Sequence, residues 1–145
     1  MSLAQSIAML IGDETDGVEG LVYDETGQAN VFVGYLPQRP NRCVAVIPTG
    51  GFESDSKLPY DNPSIQILVR GDEDPRWALD TAGAVYSLLQ GKRNQDLPDG
   101  TRLISLIAIQ SGPAHVGKDD NGRFQYAMNY QGEVRNPTSE RTKNE

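Results

Sequence analysis

Leu3, Ile7, Leu10 and Ile11 recur at helical spacing, and Ser2 before them is suited to an N-cap. Gly12 stops the pattern, so a short helix opens the chain. Two acid- and glycine-rich segments follow, Asp13-Glu14-Thr15-Asp16-Gly17 and Asp24-Glu25-Thr26-Gly27, on either side of Leu21-Val22-Tyr23. The second reads as a turn, after which Asn30-Val31-Phe32-Val33 is extended. Pro37, Pro40 and Asn41 mark a loop, and Arg42-Cys43-Val44-Ala45-Val46-Ile47 has the β-branched content of a buried strand. From Pro48 to Pro63 the chain is polar and aperiodic, which predicts a long loop of the kind that serves function.

The second half alternates more clearly. Ser64 to Arg70 reads as a strand with Ile65, Ile67 and Val69 on one face. Gly71-Asp72-Glu73 turns the chain, and Asp74-Pro75 predicts a helix start twice over. The aspartate caps free backbone N–H groups, and proline at the first helical position loses no hydrogen bond. Trp77, Thr81, Val85 and Leu88 line one face, with Ala78, Ala82, Tyr86 and Leu89 beside them, until Gly91. Asn94 to Gly100 reads as a loop, and Thr101 to Ile109 as an apolar strand. Asp119-Asp120-Asn121-Gly122 is a turn signal before the alternating strand Arg123 to Tyr130. Polar sequence follows from Gln131.

This order predicts an α+β fold, a mostly antiparallel sheet of about four or more strands with two helices packed on one face. Residues 1–135 are expected to form one domain, and Asn136 to Glu145, with no large apolar side chain to dock, a flexible polar tail.

Charge adds a location. The net charge of the 145 residues is −7, from 20 acidic and 13 basic side chains. Asp13, Glu14, Asp16, Glu19, Asp24 and Glu25 all precede the first basic residue, Arg39, so most of the excess lies near the N-terminus. No clustered Lys and Arg suit a protein that grips nucleic acid through its phosphates. No apolar run approaches the ~20 residues that span a bilayer. Met1 to Ser6 lack the basic region of a signal peptide, and Cys43 is the single cysteine, so assembly in a reducing cytoplasm is expected.

Candidate chemistry is sparse. His115 is the only histidine, in Ser111-Gly112-Pro113-Ala114-His115, without a nucleophile-elbow pattern, and a surface histidine is the simpler reading. Cys43 adjoins an apolar run, where a thiol acts as a small hydrophobe. Neither Asp13 to Gly17 nor Asp119 to Gly122 has the ligand spacing of a calcium loop, and one cysteine with one histidine makes no zinc site. Gly50-Gly51 and Ser56-Lys57 are misplaced for a phosphate loop. Asp72-Glu73-Asp74 fits the dipole of a helix start without any reaction. No catalytic residue, cofactor-binding residue or metal ligand is assigned.

Several segments carry a likeness: Pro63-Ser64-Ile65-Gln66-Ile67-Leu68-Val69-Arg70-Gly71, the Asp74-Pro75 helix with Ala82, Val85-Tyr86 and Leu88-Leu89, the strand Leu103 to Ile109, and Asp120-Asn121-Gly122-Arg123-Phe124 with Asn129-Tyr130. Over Ser64 to Arg135, roughly half the chain, this resembles the tail terminator, or minor capsid (tail completion), proteins of tailed bacteriophages. The opening helix also looks like that family's N-terminal segment.

The resemblance implies a virion protein of the tail's neck region with no enzymatic activity, a compact α+β subunit that assembles as a homo-oligomeric ring, hexameric in the family. The ring would close the completed tail tube and offer a docking face to the head. The implied partners are further copies of the chain, the major tail tube protein and a head-completion or connector protein, with DNA only as passing cargo and no membrane. Candidate interface residues are Phe52, Asp55, Lys57 and Tyr60 of the long loop, exposed positions of the Asp74–Gln90 helix, and Arg70, Arg76 and Arg93, with Arg102 beside them. Asp13, Glu14, Asp16 and Glu19 are candidates for an acidic channel lining or an interface. The alternatives are a head–tail connector or neck protein and, in another class, a small hydrolase using His115.

Overall fold

Ile65, Ile67 and Val69 are fully buried, as their alternation requires, and the strand that carries them is central. The computed structural model describes residues 3–23, 29–52, 60–110 and 112–135, with residues 51, 52 and 60 by backbone alone. The elements are α1 (Leu3–Ile11), β1 (Val31–Val33), β2 (Cys43–Phe52), β3 (Tyr60–Arg70), α2 (Pro75–Leu89), β4 (Arg93–Asp96), β5 (Arg102–Ala108), β6 (Ala114–Lys118) and β7 (Phe124–Arg135). The seven strands form one sheet in the order β1-β2-β3-β7-β5-β4, and β6 pairs with β7. Only β1 and β2 are parallel. Two helices and a mostly antiparallel sheet make the fold α+β, with more strands than the sequence pattern displays.

A single apolar core explains why both helices form. α1 alone is too short to be stable in water, where ~12–15 residues are already marginal. Its Leu3, Ile7, Leu10 and Ile11 join Val44 and Val46 of β2, Ile65, Ile67 and Val69 of β3, and Met128 and Tyr130 of β7. Ala78, Ala82, Val85 and Leu89 of α2 enter the same core. Each large side chain so buried contributes ~1.5–3 kcal/mol. α1 ends where its backbone comes against Tyr23, because a Cβ at Gly12 would collide with the Tyr23 backbone and side chain. Ser6, buried on α1, donates to Asp99 Oδ2 at 2.5 Å, and Thr101 donates to the same oxygen at 3.0 Å, which ties the helix to the β4–β5 connection.

Four expectations need correction. The stretch from Pro48 to Pro63 is largely strand: Gly50 pairs with Ser64, Gly51 with Pro63 and Phe52 with Asn62. A bulge between Pro48 and Gly50, with Gly50 at φ +94°, breaks the alternation while the ladder continues. Proline is tolerated at Pro48 because β1 reaches only to Val46 and leaves the outer side of β2 free beyond it. Second, β4 occupies part of the expected Asn94–Gly100 loop; its polar residues are largely exposed on a sheet edge and give no apolar signal. Third, β6 is disguised by a bulge at Gly117, where φ is +122°. Fourth, β7 continues beyond Tyr130 to Arg135, because β3 and β5 flank it on both sides. Asp55, Lys57 and the expected tail from 136 to 145 lie outside the described residues.

Candidate assembly surfaces

The acidic segment after α1 is held by its own backbone chemistry. Asp13 Oδ1 accepts from the amides of Thr15 at 2.8 Å and Asp16 at 3.3 Å, an Asx turn. The Gly17 amide donates to Asp13 O and the Val18 amide to Ile11 O, and Val18 packs against the core. These bonds leave Glu14, Asp16 and Glu19 exposed and Asp13 half-buried. Asp13 and Asp16 line a pocket of about 430 Å³ with Leu10, Lys92, Gln95, Asp96 and Pro98. Glu19 instead lines a groove of about 410 Å³ with Gly17, Val18, Asp80, Thr81, Ala84 and Leu88. A third pocket, of about 440 Å³, brings Asp13, Glu14 and Glu19 together, so the candidate acids form one continuous surface to which the fold adds Asp80 and Asp96. The helical period of α2 places Asp80 off the apolar stripe, which is the signal that could have found it.

The candidate arginines are not equivalent. Arg70 is 3% exposed, and its guanidinium donates to the carbonyls of Pro40 at 2.7 Å and Asn41 at 3.1 Å. It therefore fastens the 38–41 segment and presents no free charge on the surface. Arg76 is exposed and folds back on Asp74, with Nη2 2.5 Å from Oδ2. Arg93 is exposed on β4, and Arg102 lies 3.5 Å from Asp96. Both belong to the β4–β5 hairpin, and it is the neighbouring Lys92 and Asp96 that line the pocket with Asp13 and Asp16. Phe52 and Tyr60 are placed at strand ends by register with Asn62 and Arg135.

The acidic triplet before α2 does structural work. Asp74 is the N-cap, with extended backbone and its Oδ1 3.0 Å from the Arg76 amide. Asp72 Oδ1 accepts from the Asp74 amide, and Arg42 Nε donates to Asp72 Oδ2 at 2.9 Å while its guanidinium sits 5.6 Å from the Trp77 ring. The Arg76 side chain and amide together pull the Asp74 carboxyl down from 3.8 to about 2. Its folded pKa is below its unfolded one, so this stabilisation is complete above about pH 4 and fades as pH falls toward 2. Asp74→Ala should lower the denaturation midpoint at neutral pH and shrink the loss of stability across that acid interval, read by urea titrations at several pH values.

Arg123 belongs to the Asp120–Phe124 segment that carries the family likeness, but nothing in its pattern marks it as a site residue, and it stands just before β7. Its side chain is 7% exposed, and Nε donates to Asp119 Oδ2 at 2.7 Å. Nη1 reaches the Gln38 carbonyl at 2.7 Å and Asn41 Oδ1 at 3.2 Å. Arg70, at the end of β3, and Arg123, just before β7, thus both hold the 38–41 segment. Burial pushes the nearby Cys43 thiol up, against the opposing pull of these two cations, which suits an inert packed thiol. A polar cleft of about 570 Å³ lies beside them, bounded by Arg39, Asp72, Glu73 and Asn121 among others.

His115 is exposed, its ring 5.4 Å from that of Tyr126 and 6.0 Å from that of Phe124. Among the described residues no serine or carboxylate hydrogen-bonds it, and Ser111 lies outside them. Among the described residues no group of three or more His, Cys, Asp and Glu could hold a metal ion, and no helix is long and apolar enough to cross a membrane.

A family model described as "Bacteriophage tail terminator protein" matches residues 11–135. Among solved structures, a chain of the "Virion of native gene transfer agent (GTA) particle" is similar at 19% identity, over 73% of this chain and 78% of that chain, with a TM-score of 0.49. No curated protein matches.

Proposed function

Because the chain belongs to the bacteriophage tail terminator family, and is therefore a structural protein of a phage virion and not an enzyme, we propose that it assembles as a ring on the end of the completed tail tube. The family match over residues 11–135 carries this reading, since it spans all the elements from the end of α1 to β7. In the proposed assembly the ring is a hexamer, one of its faces rests on the major tail tube protein, and the other receives the head-completion or connector protein at the neck. Subunits of this size close rings through heterologous contacts, in which one patch meets a different patch of the next copy. Both helices are taken to cover one face of the sheet, which the core they share with Ile65, Ile67 and Val69 supports. The reading also takes residues 1–135 as one domain.

Deleting the gene should then yield heads and tails that do not join, counted by electron microscopy and restored by the gene in trans. Normal joined particles in its absence would contradict the proposal.

The acids after α1 are given distinct proposed roles. Asp13, Glu14 and Asp16 are assigned to the ring's axial opening, where a negative lining keeps passing DNA phosphates from adhering. Neutralising all three with Asn and Gln should leave rings intact and slow DNA ejection, read by fluorescence of released DNA. Failed assembly with unchanged ejection from the particles that do form would instead make these residues an interface.

A further inference from the structure

We propose that the free edge of β6 in one subunit docks into the groove between residues 17–19 and α2 of a second copy of this chain. This rests on the reading of the chain as a ring-forming subunit and names the contact that would join its members.

β6 pairs only with β7 among the described residues, so its outer edge is open to another chain. That edge carries an exposed apolar side chain, Val116 at 56% exposure, and Ile107 and Ile109 are likewise exposed on β5 and the connection that leads to β6. Lys118 closes the strand, exposed, with Nζ 5.0 Å from the Phe124 ring and no salt bridge among the described residues. Such an edge, a valine beside a lysine, calls for a partner that is apolar at its centre and anionic at its rim.

The groove on α2 has that character. Val18, Ala84 and Leu88 give it an apolar floor, and Glu19 and Asp80 stand at its sides. Neither carboxylate makes a hydrogen bond or salt bridge among the described residues; Arg76, one turn before Asp80, interacts with it electrostatically but is bonded to Asp74, so a further cation can join both acids. Its volume of about 410 Å³ accommodates the valine side chain and the strand residues beside it. A second copy is the occupant because it supplies both halves of the match, charge and apolar surface alike.

The two surfaces lie on different parts of the subunit. β6 lies along β7, on the side away from β3, whereas the groove lies between α2 and the segment that follows α1. A contact between unlike patches repeats head to tail and closes where its rotation permits. Glu19 then serves the joint between subunits, at the border of the pocket that it also lines with Asp13 and Glu14.

Paired cysteines test the contact, since native Cys43 is buried and contributes no background. In purified tails the double variant Val116→Cys with Ala84→Cys, mildly oxidised, should yield a ladder of covalent multimers, and either single variant should yield none. Lys118→Glu should weaken assembly by roughly 2–5-fold, the scale of one exposed ion pair, and Asp80→Lys in the same chain should restore it. Dimers from Val116→Cys alone would show like meeting like and overturn the proposal. Rings of normal mass with no ladder would overturn this contact and leave the terminator reading intact, whereas absence of any ring would overturn both.

Discussion

Arg123→Ala is expected to destabilise the subunit by about 3 kcal/mol, the lower part of the range for breaking a buried ion pair, because the site borders an open polar cleft. The side chain joins segments far apart in the chain. It reaches Asp119 in the turn before β7 and Gln38 and Asn41 in the segment before β2. Alanine would leave Asp119 and the Gln38 carbonyl without this donor, and the cost of such orphaned groups exceeds the net worth of the bonds themselves. Lysine should recover only a minor part, since one ammonium cannot reproduce the fork that reaches four acceptors. In urea titrations the midpoint should fall with the slope unchanged. A loss under about 1 kcal/mol would mean that the 38–41 segment is held by Arg70 alone.

Ile67→Ala should cost about 2–5 kcal/mol, and Leu68→Ala on the same strand clearly less, about 1 kcal/mol. Ile67 is fully buried, opposite Val46 on β2 and Met128 on β7, in the core that receives both helices. Leu68 points to the other side, half-buried, opposite Ala45 and Ala127. The ratio of the two losses therefore reports which side of the sheet carries the core. Equal losses would show that the second face is packed as tightly as the first.

The elements legible in the sequence are those whose burial is one-sided. Ile65, Ile67 and Val69 alternate because one face of β3 is buried, and α2 carries its stripe together with its Asp74-Pro75 start. What was hidden lies at edges and bulges. Arg93 to Asp96 form a strand by pairing with β5 alone and bury almost nothing, so no hydrophobic period marks them. Gly50 and Gly117 each sit at a bulge that shifts the register and erases the alternation around it. The candidate surfaces were half legible. The acids after α1 are visible as a cluster, but Asp80 and Asp96, which complete the flanking pockets, arrive from other elements. Arg70 and Arg123 look like surface cations in a list of residues, and only tertiary placement shows them buried against carbonyls and a carboxylate.

The central claim, that this chain is a ring-forming subunit at the end of a phage tail, is tested most directly by its mass in solution, measured alone and after mixing with purified tail tubes. The account predicts a hexamer, or a monomer that converts to a tube-bound ring when tubes are added. A monomer that remains monomeric and ignores the tubes would contradict it.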